Sequence, residues 1–352
     1  MPLIIDRTTI TTDWQCRKMR WWFREEGGTG MVPVVEPVYF EDGRLMHEDL
    51  AALGEAVDPA ARAADLAAEI MTGIGAADSF LDKERITWRA GMAAAYGTFV
   101  EPWLRGYYTH VSAEQEFVLR RGDLWVPCTP DRLMREIGGG GRLIYREYKS
   151  LKAVRWGWAE HWQTAPQLHI GLKAVEEETG ERPAFAQIMG VIKGEWRDGR
   201  LRHPYVWAYR NEKTEEWTSI YSPSLTPTPV WEYPGGVVEW VKVCGIDTAW
   251  KVFPFSTPVG LDDRLVETLL REVGAREGWI AYARKFGLAA DAPVMLDNYF
   301  PHTYERCQPV IGSRCVYFDA CHNEEVGRDP LGSGLYKPRT PHHELEIIGV
   351  EE

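Results

Sequence analysis

Asp131-Arg132-Leu133-Met134-Arg135-Glu136-Ile137, then Gly138-Gly139-Gly140-Gly141, then Arg142-Leu143-Ile144-Tyr145-Arg146-Glu147-Tyr148-Lys149 is the stretch that decides the fold. Two short β-rich runs on either side of four glycines read as a β-hairpin. Folding it back on itself delivers Asp131 and Glu147, sixteen positions apart, to one end of a small sheet. Glu147 and Lys149 are two apart and leave the same face of a strand, while Tyr148 leaves the other. Tyr148 is therefore expected in the core and its two neighbours at a site. Working outward, Glu114-Gln115-Glu116-Phe117-Val118-Leu119-Arg120 and the run from Leu124 to Met134 flank a turn at Gly122-Asp123. Together with the hairpin they read as a meander.

Two carboxylates and a lysine at one end of a sheet can hold a divalent metal and activate water for phosphodiester cleavage. Mg²⁺ prefers oxygen ligands, usually one or two carboxylates with waters and substrate phosphate. Asp131 and Glu147 supply the carboxylates in this reading, and the backbone carbonyl of Tyr148 a third ligand. Lys149 is placed to orient the attacking water or to neutralise charge building on the phosphate. An isolated Asp…Glu-x-Lys match reads equally as a solvated surface hairpin, so its surroundings carry the weight.

Pro130-Asp131 with Glu147-Tyr148-Lys149 resembles the two half-motifs of the PD-(D/E)xK nuclease superfamily. The run Pro166-Gln167-Leu168-His169-Ile170-Gly171-Leu172-Lys173-Ala174 reads as a helix with a glutamine near its start, which is similar to the RecB-like branch. That branch carries a tyrosine four residues after the glutamine; Gln167 matches, and Gly171 stands in the tyrosine position. The resemblance implies that Gln167 helps position substrate or lysine, and that an acidic residue upstream of the Asp strand assists, for which Glu114 is the candidate. It also implies a histidine on the preceding helix. None is evident in Arg89-Ala90-Gly91-Met92-Ala93-Ala94-Ala95-Tyr96, and His110 is a remote substitute.

The cysteines are a second, independent clue. Cys16 stands near the N-terminus, and Cys307-x7-Cys315-x5-Cys321 forms a trio near the other end. Four thiolates can hold a [4Fe–4S] cluster or a tetrahedral zinc. One N-terminal cysteine with a C-terminal trio resembles the iron–sulfur members of the RecB-like branch, the AddB-type helicase–nuclease subunits and the CRISPR-adaptation nucleases, although their trios are more tightly spaced. The cluster implied would act as a clasp, tying the first helix to the last segment and reducing the entropy of the open form. Cys128 and Cys244 lie in apolar strand-like runs and read as ordinary core cysteines.

Composition sets the remaining bounds. At 352 residues the chain exceeds the size of one simple core, so one large domain with insertions, or two lobes, is expected. No apolar run of about 20 residues offers a membrane span. The N-terminus lacks the features of a secretory signal. The cytoplasm is the default setting, and its reducing conditions favour metal-bound thiols over disulfides. No P-loop is present, so ATP-driven unwinding would need a helicase or recombination partner. The net charge of −12 denies the chain a global basic footprint for DNA. Two stretches interleave basic and aromatic residues as local patches for single strands, Arg17 to Arg24 and Lys152 to Trp158. With sixteen tryptophans in the chain, packing is the commoner role for any one of them. His342-His343 reads as solvated.

The expected organisation is an α/β fold with a restriction-endonuclease-like central mixed sheet flanked by helices. Residues 1–43 form an N-terminal segment with the first cluster cysteine, 44–105 a helical lobe, 106–300 the nuclease core with insertions, 301–325 the cysteine-rich segment and 326–352 a polar tail. Within the core, strands are expected over 184–192 and 204–221, a turn from Gly194 to Gly199, a loop over 222–229 and a helix from Leu261 to Phe286 capped by Asp262 or Asp263. The resemblance implies a Mg²⁺- or Mn²⁺-dependent DNA exonuclease acting on single strands or free ends, in a phage or mobile-element setting. The rival reading is a non-catalytic, cluster-bearing binding or assembly subunit, suggested by the missing helix histidine and by Gly171.

Overall fold

A computed structural model describes the chain except for residues 1–2, 26–29, 36–37, 78–79, 152–157, 193–194, 198–199, 203–204, 212–216, 220–235, 243–254, 286–299, 302, 304–306, 308–313 and 341–352. The chain begins with a two-residue strand, β1 (Leu3–Ile4). Asp6 then caps helix α1 (Arg7–Gln15) by accepting from the Thr9 N–H. Cys16 interrupts the helix with an extended backbone before α2 (Arg17–Arg20) and a π-helical turn over Trp21–Glu25. A short strand, β2 (Met31–Pro33), follows.

The helical lobe comprises α3 (Val38–Glu55), α4 (Pro59–Thr72), α5 (Phe80–Ala95) and α6 (Glu101–Arg105). It starts at 38, six residues before the expected 44. Asp58 caps α4 through the Ala60 and Ala61 N–H groups, with Pro59 at the first helical position, where its missing N–H costs nothing.

The strands that decide the fold are β3 (Tyr108–Ala113), β4 (Phe117–Arg121), β5 (Leu124–Cys128), β6 (Arg132–Glu136) and β7 (Leu143–Leu151). The β6–β7 hairpin forms as read, with Arg132 opposite Arg146 and Arg135 opposite Leu143. All four glycines of its turn have positive φ, between +54° and +90°, a conformation that any side chain would strain. The expected single meander does not form. β4 and β5 pair with each other and with β1 in a separate three-stranded sheet, so the run from Leu124 to Met134 belongs to two sheets. It breaks at Thr129-Pro130, where proline has no N–H to offer a ladder. Asp131 stands at that break.

Beyond β7 come α7 (Trp158–Gln163), α8 (Pro166–Thr179, ended by left-handed Gly180) and β8 (Phe185–Ile192). The two helices cross over so that β8 lies parallel to β7, Glu147 opposite Ile188 and Lys149 opposite Gly190. Then follow β9 (Glu195–Arg197), β10 (Arg200–Arg202), β11 (Tyr205–Asn211), β12 (Trp217–Ser219), β13 (Gly236–Lys242) and β14 (Phe255–Val259). β9 pairs with β10, so the expected turn from Gly194 to Gly199 contributes a strand to a hairpin, and the stretch 204–221, where strand was expected, holds β11 and β12. The expected loop 222–229 lies outside the described residues. Helix α9 (Asp263–Lys285) is capped by Asp262, which accepts from the Arg264 and Leu265 N–H groups. Short helices α10 (Phe318–His322) and α11 (Glu324–Arg328) precede β15 (Tyr336–Pro338).

The central sheet has the order β14-β8-β7-β6-β3 and is antiparallel except at β7–β8. The architecture is therefore mixed α/β. The two-residue period divides the core: Tyr145, Leu143 and Ile188 pack on one face with α8 and α9, whereas Tyr148, Met189 and Val191 pack on the other with the helical lobe. A third cluster joins the two ends of the chain, with Trp21, Trp22 and Met31 against Phe300, Tyr317 and Tyr336. β15, inside the segment expected to be a polar tail, pairs antiparallel with β2. Among the described residues no helix is long and apolar enough to cross a membrane.

Candidate active site

The site lies where β5 ends, β6 begins and β7 passes. Asp131 is buried, and its Oδ2 accepts the backbone N–H of Tyr148, which locks the carboxylate against β7. Its Oδ1 lies 2.9 Å from Nδ1 of His47, which projects from the middle of α3. Glu114 sits in the corner between β3 and β4 with a left-handed backbone (φ +48°), and its N–H donates to the Asp131 carbonyl at 3.4 Å. Ligand atoms of His47, Glu114 and Asp131 all lie within 4.8 Å of one another. Neighbouring ligands of an octahedral ion with bonds of about 2.1 Å are about 3.0 Å apart, so the His47–Asp131 spacing suits a shared cation. One imidazole and two carboxylates are donors that Mn²⁺ accepts readily, and Mg²⁺ through the oxygens.

The electrostatics of the three groups are those of a site short of positive charge. Burial would lower the His47 pKa, but the charge of Asp131 and the hydrogen bond to it raise it above the ordinary value. Partial burial and the adjacent Asp131 carboxylate push Glu114 up to about 7, against the opposing pull of His47 and Arg7.

Glu147 is arranged differently. It is fully buried, its Oε1 accepting from Arg7 Nη1 and from the Tyr145 hydroxyl (2.7 Å), its Oε2 from Lys149 Nζ (3.0 Å). Burial alone would raise its pKa; Arg7, Lys149 and the Tyr145 hydroxyl overcome this and hold it at about 2. Lys149 is half-buried, with its ammonium 5.7 Å from the centre of the Trp162 ring. Tyr148 packs into the core as expected, its hydroxyl 2.8 Å from that of Tyr96. Gln167 is half-buried in the first turn of α8, and Gly171 lies one turn further on, beneath the Tyr145 ring.

The imidazole that the fold brings to Asp131 is that of His47 on α3 and not one on α5. Helices α4 and α5 separate His47 from the sheet in sequence but not in space. His47 is a lone imidazole beside the apolar stripe of Met46, Leu50 and Leu53, a signal that was available. The substitute, His110, accepts from Arg132 Nε at 3.1 Å, and burial with that guanidinium lowers its pKa. It serves the Arg132 network instead. Tyr145 was also missed, although it shares a strand face with Glu147. Arg7 carries no local signal, since 140 positions separate it from Glu147.

In the Arg17–Arg24 stretch Lys18, Arg20, Trp21 and Trp22 are all buried, so these four side chains pack inside the protein and do not line a surface. Arg20 faces Asp13, Glu25 and Glu277, and Trp21 meets Phe300 edge-on at 5.1 Å. The second stretch lies outside the described residues except for Trp158. Cys128 is buried, as expected, and Cys244 and His342-His343 lie outside the described residues.

Cys16 and Cys307 are buried; the Cys315 N–H donates to the Cys307 carbonyl, and Cys321 Sγ accepts from Trp22 Nε1 at 3.1 Å. The thiols sense one another. Burial and Cys16 raise Cys307, while burial, Cys307 and Cys16 raise Cys315. Burial, with smaller contributions from Cys315 and Cys307, pushes Cys321 up to about 12 despite the Trp22 hydrogen bond. No three of these sulfurs approach within 4.8 Å of one another. Thiolates on a single tetrahedral zinc, with bonds of about 2.3 Å, would stand about 3.8 Å apart.

No protein-family model matches the chain, and no curated protein matches it.

Proposed function

We propose that the protein is a metal-dependent DNA nuclease with a restriction-endonuclease-like core, an exonuclease on single strands or free ends of the RecB-like iron–sulfur kind. The observation that carries this reading is the convergence of His47, Glu114 and Asp131 beside the Glu147–Lys149 pair at one end of the β6–β7 hairpin. His47, Glu114, Asp131 and Glu147 would hold Mg²⁺ or Mn²⁺, with the Tyr148 carbonyl as a further oxygen. A bound ion supplies Lewis-acid charge and acidifies its water. Glu147 holds Lys149 Nζ by a hydrogen bond, from which the ammonium would neutralise charge developing on a scissile phosphate. Gln167, at the start of α8, positions the substrate or the lysine. The exonuclease preference rests on the resemblance alone.

The four cysteines are proposed to hold a [4Fe–4S] cluster, with zinc as the alternative. The thiols do not stand at the mutual spacing of ligands to one tetrahedral ion, and the cluster rests on the resemblance of the cysteine pattern alone. The non-catalytic rival rested on a missing helix histidine and on Gly171. His47 supplies an imidazole, and the ring of Tyr145 fills the space above Gly171, both of which support turnover. A helicase or recombination partner remains part of the proposal.

The test is degradation of end-labelled single- and double-stranded DNA with Mg²⁺ or Mn²⁺, comparing the natural protein with Lys149→Ala. Loss of at least about a hundredfold in rate with DNA binding retained is expected. Binding by both proteins with cleavage by neither would leave the binding subunit in its place. Anaerobically purified protein should be coloured; a colourless, zinc-loaded protein would overturn the cluster.

A further inference from the structure

The hydrogen bonds of Glu147 can be counted oxygen by oxygen. Each carboxylate oxygen offers about two lone-pair sites. Oε1 accepts from Arg7 Nη1 and from the Tyr145 hydroxyl, so it is filled; Oε2 accepts from Lys149 and keeps one site. The Tyr145 hydroxyl itself accepts from Arg7 Nη1 at 2.7 Å, so guanidinium, hydroxyl and Oε1 close a triangle. All of it is built on fixed parts. Arg7 opens α1 directly after the Asp6 cap, and Tyr145 is a fully buried side chain of β7. Tyr145 reaches this place because Gly171 has no side chain: a Cβ there would stand 2.4 Å from the hydroxyl oxygen and 2.8 Å from Cζ. Helix and strand therefore fit only while one of the two positions is bare.

We infer that Arg7 and Tyr145 are positioning residues that occupy Oε1, so that Glu147 presents a divalent cation with the single oxygen Oε2, and that Gly171 is the complement that makes room for them. The inference rests on the reading of this site as a metal-dependent nuclease. Its consequence is ion selectivity. Mg²⁺ takes a near-ideal octahedron of single oxygens at about 2.0–2.1 Å, whereas Ca²⁺ accepts both oxygens of one carboxylate in a looser shell of six to eight ligands. A Glu147 confined to one oxygen favours the small ion; freeing Oε1 favours calcium.

Tyr145→Phe removes the hydroxyl and keeps the ring. The measurement is Mn²⁺ affinity, read from the electron paramagnetic resonance signal of free Mn²⁺, with Ca²⁺ as competitor and the thermal midpoint as a control for folding. Tyr145→Phe should bind Mn²⁺ about tenfold more weakly, the usual effect of losing a partner of a metal ligand, and Ca²⁺ should compete severalfold better than in the natural protein. Gly171→Ala should move both readings the same way with the tyrosine intact. The double variant should lose no more than the worse single one, because both act through one hydroxyl. Unchanged Mn²⁺ and Ca²⁺ binding in Tyr145→Phe, or losses that add, would overturn the inference. Should Gly171→Ala fail to fold, Tyr145→Phe decides alone. If the natural protein and His47→Ala bind Mn²⁺ identically, the metal-site reading itself falls; if the natural protein binds and cuts while Tyr145→Phe is indistinguishable from it, only the inference about Oε1 falls.

Discussion

Glu114 combines two unfavourable properties. It is the one non-glycine residue with positive φ among those described, a conformation that costs of order 1 kcal/mol, and its carboxyl is pushed up to about 7 beside Asp131. Strain and charge crowding of this kind gather where function requires them. The pH consequence follows from linkage. A folded-state pKa raised above the ordinary carboxylate value means that the folded protein binds this proton more tightly than the unfolded chain. The associated stability is full below the ordinary value near 4.5 and is lost as pH rises through 7. In the presence of a chelator, Glu114→Gln should therefore raise the thermal midpoint at pH 8, and the advantage should vanish by about pH 4. His47, also shifted upward, adds to the same loss on the alkaline side. An equal midpoint at pH 8 in the two proteins would contradict the crowding. Glu114 was legible in the sequence as an acidic residue upstream of the Asp strand. Its raised pKa was not, because that depends on burial in the fold and on an Asp131 carboxylate seventeen positions away.

At the level of elements, the site depends on how α3 is held, since it carries His47. The C-terminal carbonyls of α3 and the turn after it are gripped by two arginines. Arg132 Nη2 donates to the Gly54 carbonyl at 3.1 Å, and Arg105 donates to the carbonyls of Gly54, Ala56 and Val57. Cations belong at a helix C-terminus. Arg132 is fixed in turn by a two-point bond to fully buried Glu101, at 2.7 and 2.8 Å, and its backbone directly follows Asp131. The pair thus joins α3, α6 and β6 around the site. Glu101→Gln leaves a buried guanidinium without its counter-charge and should cost about 3–5 kcal/mol in urea unfolding. Adding Arg132→Met should recover part of that loss, since it removes the uncompensated charge. A cost under about 1 kcal/mol would mean that the pair does not fasten the lobe. The β6–β7 hairpin, α8 and α9 were all readable from local pattern: glycines at the turn, Pro166 at a helix start, Asp262 as a cap. The split of the meander was not, although Pro130 was visible, because a proline ends a ladder without saying which sheet its two sides join.

Over the whole molecule the two ends of the chain are fastened together. β2 pairs with β15, the Tyr317 hydroxyl donates to the Met31 carbonyl at 2.8 Å, and Trp21 packs against Phe300. Buried Arg20, Asp13, Glu25, Arg276 and Glu277 add a charged network between the first helices and α9. The clasp that the cysteine pattern implied thus has a packed apolar and strand-paired counterpart of its own. Trp21→Ala should destabilise the protein by about 3–5 kcal/mol, the usual cost of emptying a buried aromatic site. Mn²⁺ affinity of the protein that remains folded should stay within about twofold, because Trp21 packs in a different cluster from the site residues. A large fall in Mn²⁺ affinity at full folding would show instead that the clasp sets the geometry of the site.

By itself the sequence determined what depends on neighbours a few residues apart. The glycine turn, the two-residue alternation that sends Tyr148 inward and Glu147 with Lys149 to the site, and the helix carrying Gln167 all follow from local backbone preference and periodicity. Only the tertiary structure decided what depends on contacts across more than a hundred positions or between separate elements. Arg7 meets Glu147, His47 meets Asp131, Tyr145 fills the space that Gly171 leaves, and two tryptophans that looked fit for nucleic acid are buried against the C-terminal segment. No spacing encodes such meetings. They are chosen by which apolar faces cover one another, and the polar residues carried on those faces are brought together as a result.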